Sequence, residues 1–128
     1  AMEQHGLPPV AMRTNLRSSY SVGATLMAQL LEEHPDADAI FCTNDDIAIG
    51  AYFECVRRGI RVPDDMAIAG FHGHDVGQVM TPRLASVIPP REQLGERAAR
   101  ELVQRMKGEP ATQQIIDLGY RIETGETL

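Results

Sequence analysis

Two histidines and an aspartate fall within four positions of the stretch AGFHGHD, as His72, His74 and Asp75, directly after an apolar run. Three kinds of chemistry use such a set. A His-x-His pair can ligate zinc if further ligands arrive from elsewhere, and Asp45 and Asp46 are candidates. Gly73 places the histidines in a loop, where strand alternation does not align them. A His–Asp pair also serves general acid–base catalysis, but the GxSxG, HExxH and Cys-His-Asn arrangements of common hydrolases are missing. The third use is a hydrogen-bonding wall for a small polar ligand, built from the donors and acceptors that Asn, His, Arg and Ser supply. The plain alternative is that Asn44 and Asp45 cap a helix and His72 is a solvated loop residue.

The elements that must position these groups are legible in outline. Val22, Leu26, Met27, Leu30 and Leu31 recur at helical spacing and predict a helix from Ser21 to Pro35, with Ser18 or Ser19 capping its start. The β-prone run Ala37–Thr43 follows. Asn44, Asp45 and Asp46 then cap a helix Ile47–Arg58 that Gly59 closes. Met66–Phe71 and Leu84–Ile88 read as two further buried strands. Arg91–Lys107 reads as a long amphipathic helix striped by Leu94, Ala98, Leu102 and Met106, ended by Gly108 and Pro110. Ile115–Ile122 is a last strand or hairpin.

Strands alternating with helices through short loops predict an α/β fold, a parallel sheet flanked by helices on both faces. Ligands of such sheets bind outside the carboxyl ends of the strands. Three polar segments fall there: Thr43 to Asp45, Phe71 to Asp75, and Pro89 to Arg91.

Composition narrows the function classes. The 128 residues suit one domain. Net charge is −6 with basic residues scattered, so this chain does not read as a nucleic-acid-binding module. No apolar run reaches bilayer length and no secretory signal opens the N-terminus, which predicts a cytoplasmic location. Cys42 and Cys55 form no CxxC pair and read as buried free thiols. Neither GxGxxG nor a P-loop is present, and no cofactor is predicted.

The run AIFCTNDDIAIGAYFECVRRGIRVPDDMAIAGF, followed by TPRLASVIPPREQLGERAARELVQRMKGE, resembles the C-terminal effector-binding region of LacI/GalR-type bacterial transcription regulators. The similarity covers roughly residues 37–108 and more weakly both flanks, through several spaced motifs in the right order. Within the family, FHGHDVGQVMTPRLASV most resembles the gluconate-utilisation branch. The resemblance implies two periplasmic-binding-protein-like (type I) α/β subdomains with the effector held between them, preceded by a helix-turn-helix headpiece. Residues 1–128 would be the C-terminal subdomain with its return strand, lacking the headpiece and most of the N-terminal subdomain. It would act as an effector-binding, homodimer-forming part of a repressor, reach operator DNA only through the missing headpiece, and need neither cofactor nor metal. It would not be an enzyme.

Carried over position by position, Asn44 is similar to the family asparagine that hydrogen-bonds effector hydroxyls, with Asp45 its structural neighbour. The family often has an aspartate touching sugar hydroxyls where this chain has His72. Arg91 falls at a pocket-facing position, and Ser18 where some members carry an aromatic wall. Losing an acid at His72 and gaining Arg91 suits an anionic ligand, since arginine pairs with carboxylate in bidentate fashion. The expected effector is a sugar acid such as gluconate; a phosphorylated sugar acid is also compatible. The resemblance places the dimer contact around Ile47–Phe53 and Val76–Met80, with Ile49, Tyr52, Val79 and Met80 as its apolar surface. The alternative is that these four pack within the subdomain.

Overall fold

The computed structural model describes residues 3–6, 17–109 and 115–128. After a short 3-10 turn at Glu3–His5, the elements are α1 (Tyr20–Glu33), β1 (Ala39–Phe41), α2 (Asp45–Arg58), β2 (Ala67–Phe71), α3 (Asp75–Val79), β3 (Ala85–Ile88), α4 (Arg91–Met106) and β4 (Arg121–Glu123). Ser19 rather than Ser18 caps α1, its hydroxyl accepting from the Val22 amide at 3.2 Å. Gly59 closes α2 with φ of 73°, a left-handed conformation that glycine adopts without steric penalty. The short helix α3 is not signalled by periodicity, because one turn offers too few positions to show a repeat.

The sheet runs in the order β1-β2-β3-β4. β1, β2 and β3 are parallel, with Phe41 beside Ala69 and Ala69 beside Ala85. β4 lies antiparallel to β3, with Val87 opposite Ile122, so the expected parallel sheet carries one reversed edge strand. The reversal has a consequence for the site. An antiparallel neighbour starts at the end where its partner finishes. The excursion from Pro89 to Tyr120 therefore leaves and rejoins the sheet at the carboxyl end of β3.

Packing concentrates on α1, α2 and the sheet. Met27, Ile49, Met66, Ile68 and Leu84 are buried in one cluster. α1 and α2 touch through glycine: a Cβ on Gly23 would strike the Ile47 carbonyl, and one on Gly50 the Tyr20 carbonyl. The C-terminal tail is pinned into this body. The Thr127 hydroxyl accepts from the Ala85 amide at 2.9 Å and donates to the Ile68 carbonyl at 2.6 Å, while its carbonyl accepts from the Ile68 amide at 2.8 Å.

α4 departs from expectation. Its apolar stripe is present but does not join the core: Leu102 is 60% and Met106 80% exposed. The more sheltered positions are Arg97, Glu101 and Gln104, and Arg97 pairs with Glu101 at 2.8 Å. Within the excursion just described, α4 supplies no residue to the core cluster. Gly108 follows the helix with φ of 80°, and Pro110 lies outside the described residues.

Three carboxylates are held below their ordinary range. Hydrogen bonds from Arg57 and then Arg58 lower Glu54, the Arg61 side chain draws Asp65 to about 2, and the Arg83 amide lowers Glu126. Groups depressed in the folded state contribute stability that is complete above their unfolded values of about 4 and is lost as pH falls through the folded values. Thermal melts are thus expected to give a steady midpoint from pH 7 to about 5 and a progressive fall below about 4. A midpoint unchanged down to pH 3 would contradict these pairings.

Candidate functional site

The carboxyl rim of the sheet is where the predicted groups gather. Asn44, at the end of the β1 loop, is the N-cap of α2: its side-chain oxygen accepts from the Ile47 amide at 3.0 Å. Its side-chain nitrogen donates to the Ser18 hydroxyl at 2.6 Å, so two residues far apart in sequence meet on the exposed rim. Asp45 is not the cap. It is 0% exposed and lies beneath the rim.

His72 follows β2 directly, with φ of 107°, and Gly73 continues the left-handed course at 67°. Non-glycine residues seldom hold such a φ unless neighbouring structure imposes it. Here the His72 amide donates to the Val87 carbonyl at 2.9 Å, Gly73 to the Ser86 hydroxyl at 3.1 Å, and His74 to Asp45 Oδ2 at 2.6 Å. A side chain on Gly73 would meet Ile88 at 2.6 Å, which ties the loop to the end of β3 as well. The His72 and His74 rings stack at 5.6 Å with 17° between planes, and Phe71 meets His72 edge-on at 4.9 Å. His74 Nδ1 lies 3.3 Å from Asp46 Oδ1.

Arg91 opens α4 just beyond β3 and is exposed. It lies on the same rim by topology, though no direct bond joins it to His72 or Asn44 among the contacts described. Asp75 begins α3 and is exposed. Among the described residues, no group of three or more His, Cys, Asp or Glu side chains is placed to hold a metal. Burial pushes the Cys42 thiol up to about 12 and Cys55 to about 11, which suppresses the thiolate a nucleophile requires.

The dimer candidates separate. Ile49 is 1% exposed inside the core, so its side chain offers nothing to a second copy; its position on α2 faces inward. Val79 is 72% exposed. Tyr52 and Met80 are half-buried against the core, and the Tyr52 hydroxyl donates to the Thr81 carbonyl at 2.9 Å. Phe53, at the end of the expected Ile47–Phe53 segment, and Val56, just beyond it, are exposed on α2. Sequence reasoning missed Ser86. Its one signal was a hydroxyl in the otherwise apolar strand Leu84–Ile88.

Comparison with known proteins identifies a family. The family model described as periplasmic binding protein-like domain matches residues 1–128. The chain is 52% identical over its whole length to the HTH-type transcriptional regulator GntR of Escherichia coli K12, and 45% identical to the regulator IdnR of the same organism. It spans 39% of the length of each of these relatives. The crystal structure of the transcription regulator GntR from Chromobacterium violaceum superposes with a TM-score of 0.79 at 40% identity, covering 87% of this chain and 41% of that one. No helix among the described residues is long and apolar enough to cross a membrane.

Proposed function

From the premise that the chain belongs to the periplasmic binding protein-like domain family shared by LacI-type regulators, we propose that it is the effector-binding, dimer-forming C-terminal subdomain of a cytoplasmic transcriptional repressor responding to a sugar acid such as gluconate. The observation that carries this reading is the rim itself. The Asn44–Ser18 pair and the His72 loop stand together at the carboxyl ends of parallel strands, where α/β sheets bind ligands. Asn44 keeps amide hydrogen-bonding capacity for effector hydroxyls beyond its cap and Ser18 bonds. His72 and Arg91 are the groups that favour a carboxylate over a neutral sugar.

The site is one wall of a cleft. The excursion through α4 passes beyond that wall and shows a bare apolar stripe, a surface suited to packing against the remaining length of a two-lobed protein. Effector held between two lobes binds their closed form preferentially, and that differential affinity shifts the population away from the operator-binding arrangement. Operator contact belongs to a headpiece outside this chain. Val79 on α3 and Phe53 and Val56 on α2, all exposed, with the half-buried Tyr52 and Met80, are the surface offered to a second copy.

Calorimetric titration of the full-length protein tests the reading. Gluconate or its phosphate is expected to bind, and glucose to bind at least about tenfold more weakly, the discrimination that one charge-assisted contact supplies. Binding of glucose without binding of either acid would overturn it.

A further inference from the structure

We propose that Asp45 and Ser86 form a buried positioning pair that fixes the His72 loop, and through it the presentation of the His72 imidazole to an anionic effector. The proposal rests on the effector reading above. Asp45 is 0% and Ser86 2% exposed, one at the first turn of α2 and the other inside β3. A carboxylate in a core position is unfavourable unless its oxygens are hydrogen-bonded, and here both are. Oδ1 accepts from the Ser86 hydroxyl at 2.7 Å, and Oδ2 accepts from the His74 amide at 2.6 Å. Ser86 in turn accepts from the Gly73 amide. Capping of α2 does not explain the residue, because Asn44 performs it.

What the pair does is visible in the loop it holds. His72 and Gly73 both hold positive φ, and the amides of Gly73 and His74 both donate to this pair. The fold makes room for it: a Cβ on Gly70 would collide with Asp45 Oδ1, so β2 carries glycine where the carboxylate lies against it. With these amides fixed, the His72 ring stacks on that of His74 and meets Phe71 edge-on. The pair acts on effector only through His72, as positioning residues.

The test uses the full-length protein labelled with 13C at histidine Cε1, the His72 signal being assigned by its loss in His72→Gln. Ser86→Ala removes one hydroxyl and leaves the strand otherwise intact; Asp45→Asn is the more severe variant. Both are expected to move the His72 and His74 ring signals and to weaken gluconate binding about tenfold, the scale of one buried amide left unpaired. In a His72→Ala background, Ser86→Ala should add less than about twofold, because coupled groups are not additive. Unmoved ring signals, or a full tenfold loss persisting without His72, would overturn the positioning role. If wild-type protein gives no heat with gluconate, the sugar-acid reading fails, while the ring signals still decide the role of the pair.

Discussion

Gly50→Val is expected to prevent folding, and Gly50→Ala to cost about 2–4 kcal/mol, a reversal of the usual gain of roughly 1 kcal/mol when alanine replaces glycine inside a helix. The reversal comes from what lies opposite. A Cβ at Gly50 would collide with the Tyr20 carbonyl and come within 3.0 Å of the Ala24 amide nitrogen. Both are backbone atoms of α1, so no side chain can rotate away. Gly23 makes the reciprocal approach to Ile47. Relief would require α1 and α2 to separate, exposing Met27 and Ile49 and dragging Ser18 away from Asn44. Urea unfolding of Gly50→Ala checks the cost, and a midpoint equal to wild type would refute the interlock. Gly59→Ala is the control: its Cβ meets nothing within 4 Å, so any loss there reflects only the φ of 73°.

Local chemistry made much of this architecture readable. The Asn-Asp-Asp run announced the start of α2, and Gly59 its end, because capping and left-handed termination are decided by adjacent residues. The apolar runs before His72 and Pro89 were recognisable as strands for the same reason. Which way Ile49 faces was not local information. Residues Ile47 through Ala51 are all buried, so this half of α2 has no dry stripe to read against a wet one. Capping preference alone did not separate Asn44 from Asp45 either, since Asp45 is explained by Ser86, 41 positions away. α4 shows the converse. Its stripe was legible, yet periodicity says that a face wants cover and not which surface supplies it. The reversed β4 likewise depends on where a long excursion returns.

Effector selectivity is expected to invert in His72→Asp. The residue sits at φ of 107°, and aspartate is among the non-glycine residues that tolerate positive φ best, so the substitution changes charge at the rim with little change in backbone preference. An imidazole N–H can donate to a carboxylate in either protonation state, whereas an aspartate offers only acceptors and a like charge. Juxtaposed like charges cost several kcal/mol across an interface, so gluconate affinity should fall by about 100-fold or more. A neutral sugar, whose hydroxyls donate to carboxylate oxygens, should hold its affinity or gain. Arg91→Ala removes a guanidinium from an exposed first turn and should weaken gluconate by about tenfold, leaving glucose unaffected and the unfolding midpoint unchanged. The two variants separate charge from shape: Arg91 acts by attraction alone, while His72→Asp adds repulsion. Calorimetry of both variants with gluconate and glucose reads the difference directly. Gluconate affinity unchanged in both would remove His72 and Arg91 from the effector wall, and a parallel loss for both sugars would reassign His72 to shaping the loop.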